Sequence, residues 1–290
     1  MKPYELIHIE TATPKEPEKA VLIIYTGGTL GMVYNEEQAL VPFDFQNILD
    51  EVPSLKNFNL KITVASFKNL IDSSNVNPKH WDDIAGLVED YYTEYDGFIV
   101  IHGTDTMAYT ASAISFMLEG LNKPVIFTGA QLPIGAARSD ARENLITAIE
   151  IASQKLNHRP IVSEVCIYFD NLLLRANRAK KVESVQFDAF QSENYPVLAE
   201  AGVIIEYDFS ALRPFQAEAE LKVGKNIQQE VAILKVFPGI SQSLVEGILS
   251  ITGLKGLVIE TYGSGNAPTE KWFINALQKA IEKGILIMNV

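Results

Sequence analysis

Cysteine is nearly absent: Cys166 stands alone among 290 residues, which excludes a disulfide within the chain and fits a reducing, cytoplasmic setting. Basic residues are also scarce. Lys and Arg number 24 against 36 Asp and Glu, giving a net charge of -12, so the clustered positive surface that nucleic acid requires is not expected. No long apolar run is present. The longest such stretches reach only about six residues, too few to span a membrane. Residues 1–20 alternate charges and prolines and lack the apolar stretch and cleavage site of a secretion signal. Histidines occur at 8, 80, 102 and 158 only, with no metal-ligand spacing among themselves or toward Cys166. Neither a metal nor an organic cofactor is expected.

Short apolar runs alternating with longer amphipathic stretches are what remains, and they indicate an α/β protein with a largely parallel sheet. Strands are expected at 20–26, 61–66, 97–102, 124–128 and 164–169. Helices are expected at 79–95, 105–120 and 139–155. The first has Asn77 as N-cap and Pro78 at its first position. Its residues Trp81, Ile84, Ala85, Val88 and Tyr92 recur every three or four positions and so face a core. The polar stretch 170–196 reads as a loop. A chain of this length suggests two domains: a larger N-terminal, mainly parallel α/β domain over 1–196, a linker over 197–225, and a smaller C-terminal α/β domain over 226–290. In the latter, strands at 230–236, 256–261 and 285–290 alternate with helices at 241–250 and 268–282. Because its last strand is the end of the sequence, this second domain is expected to be incomplete.

Chemistry-bearing residues cluster where predicted strands end, the edge at which open parallel sheets bind ligands. After Val21-Leu22-Ile23-Ile24-Tyr25 comes Thr26-Gly27-Gly28-Thr29-Leu30-Gly31. Neither a phosphate loop nor a dinucleotide fingerprint is complete there. The turn is either a flexible connection or the seat of a nucleophile, Thr29, whose hydroxyl needs a neighbouring base or charge. After Phe98-Ile99-Val100-Ile101 comes His102-Gly103-Thr104-Asp105-Thr106. Thr104 and Asp105 suit a helix start, with Thr as the cap and Asp against the dipole. They equally suit proton transfer by Thr104 and capture of a substrate ammonium by Asp105. Asp72-Ser73-Ser74-Asn75 is ordinary turn material, yet it follows a third strand of the same sheet, where hydroxyls and amides could hold a carboxylate. Arg175-Ala176-Asn177-Arg178-Ala179-Lys180-Lys181 is a short basic run; a lysine of this run folded inward could serve as a base. His102 reads as a buried strand-end residue without a catalytic role.

Taken in order, Tyr25-Thr26-Gly27-Gly28-Thr29, Asp72-Ser73-Ser74, His102-Gly103-Thr104-Asp105-Thr106-Met107-Ala108-Tyr109-Thr110 and Tyr262-Gly263-Ser264-Gly265-Asn266-Ala267-Pro268 resemble the bacterial-type L-asparaginases, most of all the cytoplasmic type I branch. Lys123 to Gln131 and Phe187-Asp188-Ala189-Phe190 fit as well. The resemblance runs from about residue 20 to the end. It implies hydrolysis of L-asparagine to L-aspartate and ammonia through an acyl-enzyme, in a homodimer or homotetramer with sites at subunit interfaces. Thr29 matches the primary nucleophile, and Thr104, Asp105 and Lys181 match a second Thr-Asp-Lys group. Asp72, Ser73 and Ser74 match the loop that binds the substrate's α-carboxylate and α-amino groups, and Asn266 matches a residue lent by the neighbouring subunit. Glutamine or glutaminyl-tRNA amidohydrolysis on the same fold is the alternative chemistry, and a non-catalytic amino-acid-binding protein is the alternative class. The family's loop tyrosine has no counterpart in Glu37-Gln38-Ala39-Leu40-Val41-Pro42, Tyr34 being out of place. A threonine and an arginine of a regulatory site in some type I enzymes correspond to Lys180 and Glu260, where the charge reversal removes a carboxylate ligand.

Overall fold

A computed structural model describes residues 3–9, 17 and 19–290, so most of the charged, proline-rich stretch between 10 and 18 lies outside the described residues. The chain divides into two compact units, Met1–Lys225 and Asn226–Val290.

The larger unit is built on a nine-stranded sheet. In chain order its elements are β1 (Tyr4–Ile9), β2 (Lys19–Tyr25), β3 (Leu60–Phe67), α1 (Pro78–Asp90), β4 (Gly97–Ile101), α2 (Met107–Met117), β5 (Val125–Thr128), α3 (Ala141–Ser153), β6 (Val165–Phe169), β7 (Leu172–Arg175), β8 (Ala199–Ala201) and β9 (Ile205–Tyr207). The strand order is β1-β3-β2-β4-β5-β6-β7-β8-β9. The central five strands are parallel, with Ile23 level with Val64 on one side and with Ile99 on the other. Both faces of this sheet are covered, which is why β2 and β4 are continuous apolar runs rather than alternating ones. Val21, Ile23 and Ile99 share one core with α3 and with Phe45, Ile48 and Leu55. The alternate residues Leu22, Ile24, Phe98 and Val100 point to the opposite face and are equally buried.

The expected N-cap of α1 is present. Asn77 Oδ1 accepts from the Lys79 N–H at 3.1 Å, His80 Nδ1 accepts from the Asn77 N–H at 3.2 Å, and Pro78 occupies the first turn. The start of α2 differs from expectation. It begins at Met107 with Thr106 at the cap position, so Thr104 and Asp105 lie in the preceding turn. Thr106 makes no side-chain cap bond either; its hydroxyl instead donates to the Ser73 carbonyl at 2.6 Å. The stretch read as a loop after residue 170 contains β7, a one-turn helix over Ala176–Arg178, and a two-residue ladder pairing Lys181 with Phe190. Strands β8 and β9 fall inside 197–225 and extend the sheet, and the whole of that stretch groups with the larger unit.

In the second unit, β10 (Val231–Lys235), β11 (Gly256–Glu260) and β12 (Leu286–Asn289) form a parallel three-stranded sheet. Helices α4 (Gln242–Leu249) and α5 (Lys271–Glu282) bury Val245, Phe273, Ala276 and Ala280 against Leu234, Leu257 and Ile259.

Candidate active site

Chain direction around β2 sets the location. The connection leaves β2 for β3 on one side and returns to β4 on the other, which makes this pair of neighbours a topological switch point. In open α/β sheets, ligands bind beyond the carboxyl ends of strands at such a point. Three turns meet there. Thr26 donates to the Ile101 carbonyl from both its N–H (3.1 Å) and its hydroxyl (2.9 Å), and accepts at its own carbonyl from the Ile71 N–H (2.8 Å). Thr106 ties the third turn to the second through Ser73. Glycine makes this approach possible. A Cβ on Gly28 would lie 2.6 Å from Gly103 N at a φ of +92, and a Cβ on Gly103 would lie 2.6 Å from Ser73 Oγ.

Thr29 opens a one-turn helix, Thr29–Gly31, at the end of this arrangement and is half-buried. Among the described residues its hydroxyl has no hydrogen-bond partner in range. The turn is closed from below by Tyr25, whose hydroxyl donates to the Gly31 carbonyl at 2.8 Å and whose ring packs on Phe45 with centroids 4.7 Å apart. Burial raises the Tyr25 phenol well above its ordinary pKa, so it is a permanent donor. After Glu37, the stretch without a tyrosine forms the second strand of a short hairpin pairing Met32 with Pro42, and Tyr34 lies half-exposed in the first strand.

Lys181 reaches the third turn from the Phe190 ladder. Its Nζ donates to Thr104 Oγ1 and to Asp105 Oδ1, both at 2.8 Å. The lysine side chain is 15% exposed and the aspartate 67%, so the ammonium is enclosed while the carboxylate opens outward. A cavity of about 560 Å³ begins at this pair and continues past Tyr109, Ser112, Asn177 and Lys180. Asp72 accepts from the Ser74 N–H at 3.0 Å, and the Ser74 amide and hydroxyl hold its carboxyl below the usual carboxylate range. Ser73 is buried beneath Gly103, whereas Asp72 and Ser74 are exposed.

The structure therefore gathers Thr104, Asp105 and Lys181 through direct bonds. It links Thr29 and the Asp72–Ser74 turn to them through backbone contacts. Asn266 belongs to the second unit, in a tight loop where Tyr262 and Asn266 exchange backbone hydrogen bonds at 2.9 and 3.0 Å. Two supporting residues escaped the sequence reading. Tyr25 looks like one more apolar strand residue until its hydroxyl is seen on Gly31. Asp140 holds the turn after β5 by accepting from the Gln131 and Leu132 N–H groups at 2.9 and 3.0 Å. Among the described residues no group of three His, Cys, Asp or Glu is placed to hold a metal ion.

Comparison with known proteins identifies the family. The family model "Asparaginase, N-terminal" matches residues 20–212, and "Glutaminase/Asparaginase C-terminal domain" matches 230–290. The chain is 41% identical to L-asparaginase 1 of Escherichia coli (strain K12), over 94% of this chain and 79% of that protein. It is 39% identical to the 60 kDa lysophospholipase of Mus musculus, over 94% of this chain and 51% of that protein, so it spans about half the length of that relative. The crystal structure of L-asparaginase I from Vibrio cholerae superposes with a TM-score of 0.82 at 36% identity, covering 93% of this chain and 80% of that one.

Proposed function

Since the chain belongs to the asparaginase family, we propose that it hydrolyses L-asparagine to L-aspartate and ammonia with Thr29 as the nucleophile. The Thr29 hydroxyl adds to the side-chain amide carbon. The C–N bond then breaks, the hydroxyl proton goes to the departing nitrogen as ammonia leaves, and an aspartyl ester remains on Thr29. Water adds to the ester carbonyl, the ester C–O bond breaks, and the proton lost by water returns to Thr29. Thr104, in contact with Lys181, relays these protons and positions the water. Backbone N–H groups of the glycine turns face the developing oxyanion. Asp105 keeps one carboxylate oxygen on Lys181 and offers the other to the substrate ammonium. The Asp72–Ser74 turn receives the α-carboxylate and shares in binding the amino group, which restricts the site to a free amino acid. Asn266 is supplied by a neighbouring copy in a homodimer or homotetramer, and the setting is cytoplasmic.

The observation that carries this reading is the Lys181–Thr104–Asp105 cluster beside the turn that presents Thr29. The test is ammonia release from asparagine and from glutamine over matched concentration series. A higher kcat/KM for asparagine supports the assignment. A preference for glutamine would move it to the glutamine-hydrolysing side of the family, and binding without turnover would make the protein an amino-acid binder.

A further inference from the structure

His102 is buried to 2% exposure at the carboxyl end of β4, between the two threonine turns, and the mechanism above leaves it unused. Its backbone N–H still belongs to the sheet, donating to the Thr128 carbonyl at 3.0 Å. Its ring then turns back on its own chain: Nδ1 lies 2.7 Å from the Gly103 carbonyl oxygen. A carbonyl oxygen can only accept, so Nδ1 carries the proton and the neutral ring is the Nδ1–H tautomer. Burial lowers the ring's pKa to about 4, which keeps it neutral at ordinary pH.

That single hydrogen bond fixes a peptide plane. Among the described residues no peptide bond is cis, so the Thr104 N–H points opposite to the Gly103 carbonyl and therefore away from the ring. Among the described residues the Thr104 N–H has no acceptor, although it sits only three residues beyond the paired strand β4. Gly103 Cα, one corner of this plane, is closely approached from two sides: a Cβ on Gly28 would lie 2.7 Å from it, and a Cβ on Gly103 itself would lie 2.6 Å from Ser73 Oγ. The other histidine near this ring, His80, is committed to the α1 cap and does not compete for the Gly103 carbonyl.

We propose that His102 is a positioning residue: by holding the Gly103 carbonyl it aims the Thr104 N–H and hydroxyl, as one rigid unit, at the substrate amide. The inference rests on the hydrolytic reading of the site and adds to it a residue that never touches substrate. It makes a chemical distinction that packing alone does not. What matters is a donor at the δ position of the side chain.

Three substitutions separate the possibilities. Asn places an amide N–H at the same distance along the side chain as Nδ1, Gln places it one bond too far, and Leu fills the space with no donor. His102→Asn is expected to keep kcat for asparagine within about threefold of the native enzyme, because the donor survives. His102→Gln and His102→Leu are expected to lose at least about tenfold in kcat, a misaligned donor costing less than a deleted one, with KM little changed. Melting temperatures are measured alongside. Leu retaining native kcat, or Asn falling with Leu in proportion to lost melting temperature, would overturn the proposal and leave His102 as packing. Long-range 1H–15N NMR of the imidazole, which needs no turnover, is expected to show a proton on Nδ1 of His102, and finding it on Nε2 would equally overturn it. A native protein that releases no ammonia while showing the Nδ1–H tautomer would instead refute the hydrolytic reading, together with any catalytic use of the orientation.

Discussion

Lys181 meets Thr104 and Asp105 across 77 and 76 residues of sequence, and nothing in the spacing of the basic run distinguishes it from Lys180. Pairing with Phe190 turns Lys181 inward while Lys180 stays exposed. Only family resemblance made that choice legible in advance, since a two-residue ladder leaves no periodic trace. His102 shows the opposite limit: the sequence reveals that it is buried, but not what its ring touches. Its titration gives a prediction. The folded-state pKa lies near 4 and the ordinary value is 6.5. Between them the unfolded chain binds a proton that the folded chain refuses, so stability falls as pH drops through this window and is unaffected above it. The loss attributable to this ring is at most about 3 kcal/mol. Urea unfolding between pH 4 and 7 is expected to show this arm in the native protein and a shallower one in His102→Asn. Parallel pH curves would contradict it.

At the scale of elements, local chemistry marks the start of α1 and distant chemistry marks the start of α2. Asn77, Pro78 and His80 are adjacent in sequence, so the cap can be read directly. Thr104 and Asp105 mimic a helix start equally well, but α2 begins only at Met107, and the Thr106 hydroxyl at the cap position donates to Ser73, 33 residues away. In the turn before α2, Thr104 and Asp105 both bond to Lys181. The meeting of the turns depends on glycine where the backbones touch. Gly28→Ala would place a Cβ 2.6 Å from Gly103 N in a left-handed conformation. The expected loss is at least about 2 kcal/mol of stability, measured by denaturant unfolding, together with most of the activity. A stable and fully active Gly28→Ala variant would show that the turns can separate without consequence.

On the scale of the molecule, the alternation of apolar runs conveyed the parallel centre of the sheet but not its edges. Strand β1 pairs antiparallel at one rim, and β8 and β9 have three residues each at the other, too short for alternation to show. Their place in the sheet comes from tertiary pairing, such as Leu173 opposite Ala199, which a linear reading does not contain. Asn266 poses the assembly question, because it sits in the second unit, away in sequence from every other candidate residue. If a neighbouring copy supplies it, Thr29→Ala and Asn266→Ala are each impaired alone, and dissociating and reassociating a mixture restores ammonia release through hybrid oligomers. No recovery on mixing would place Asn266 with its own chain's site or outside any site. The account as a whole stands on Thr29. Steady-state ammonia release from asparagine by Thr29→Ala, with melting temperature as the check on folding, is the direct measurement. The account predicts a fall of about a thousandfold or more with the fold intact; release at the native rate would contradict it.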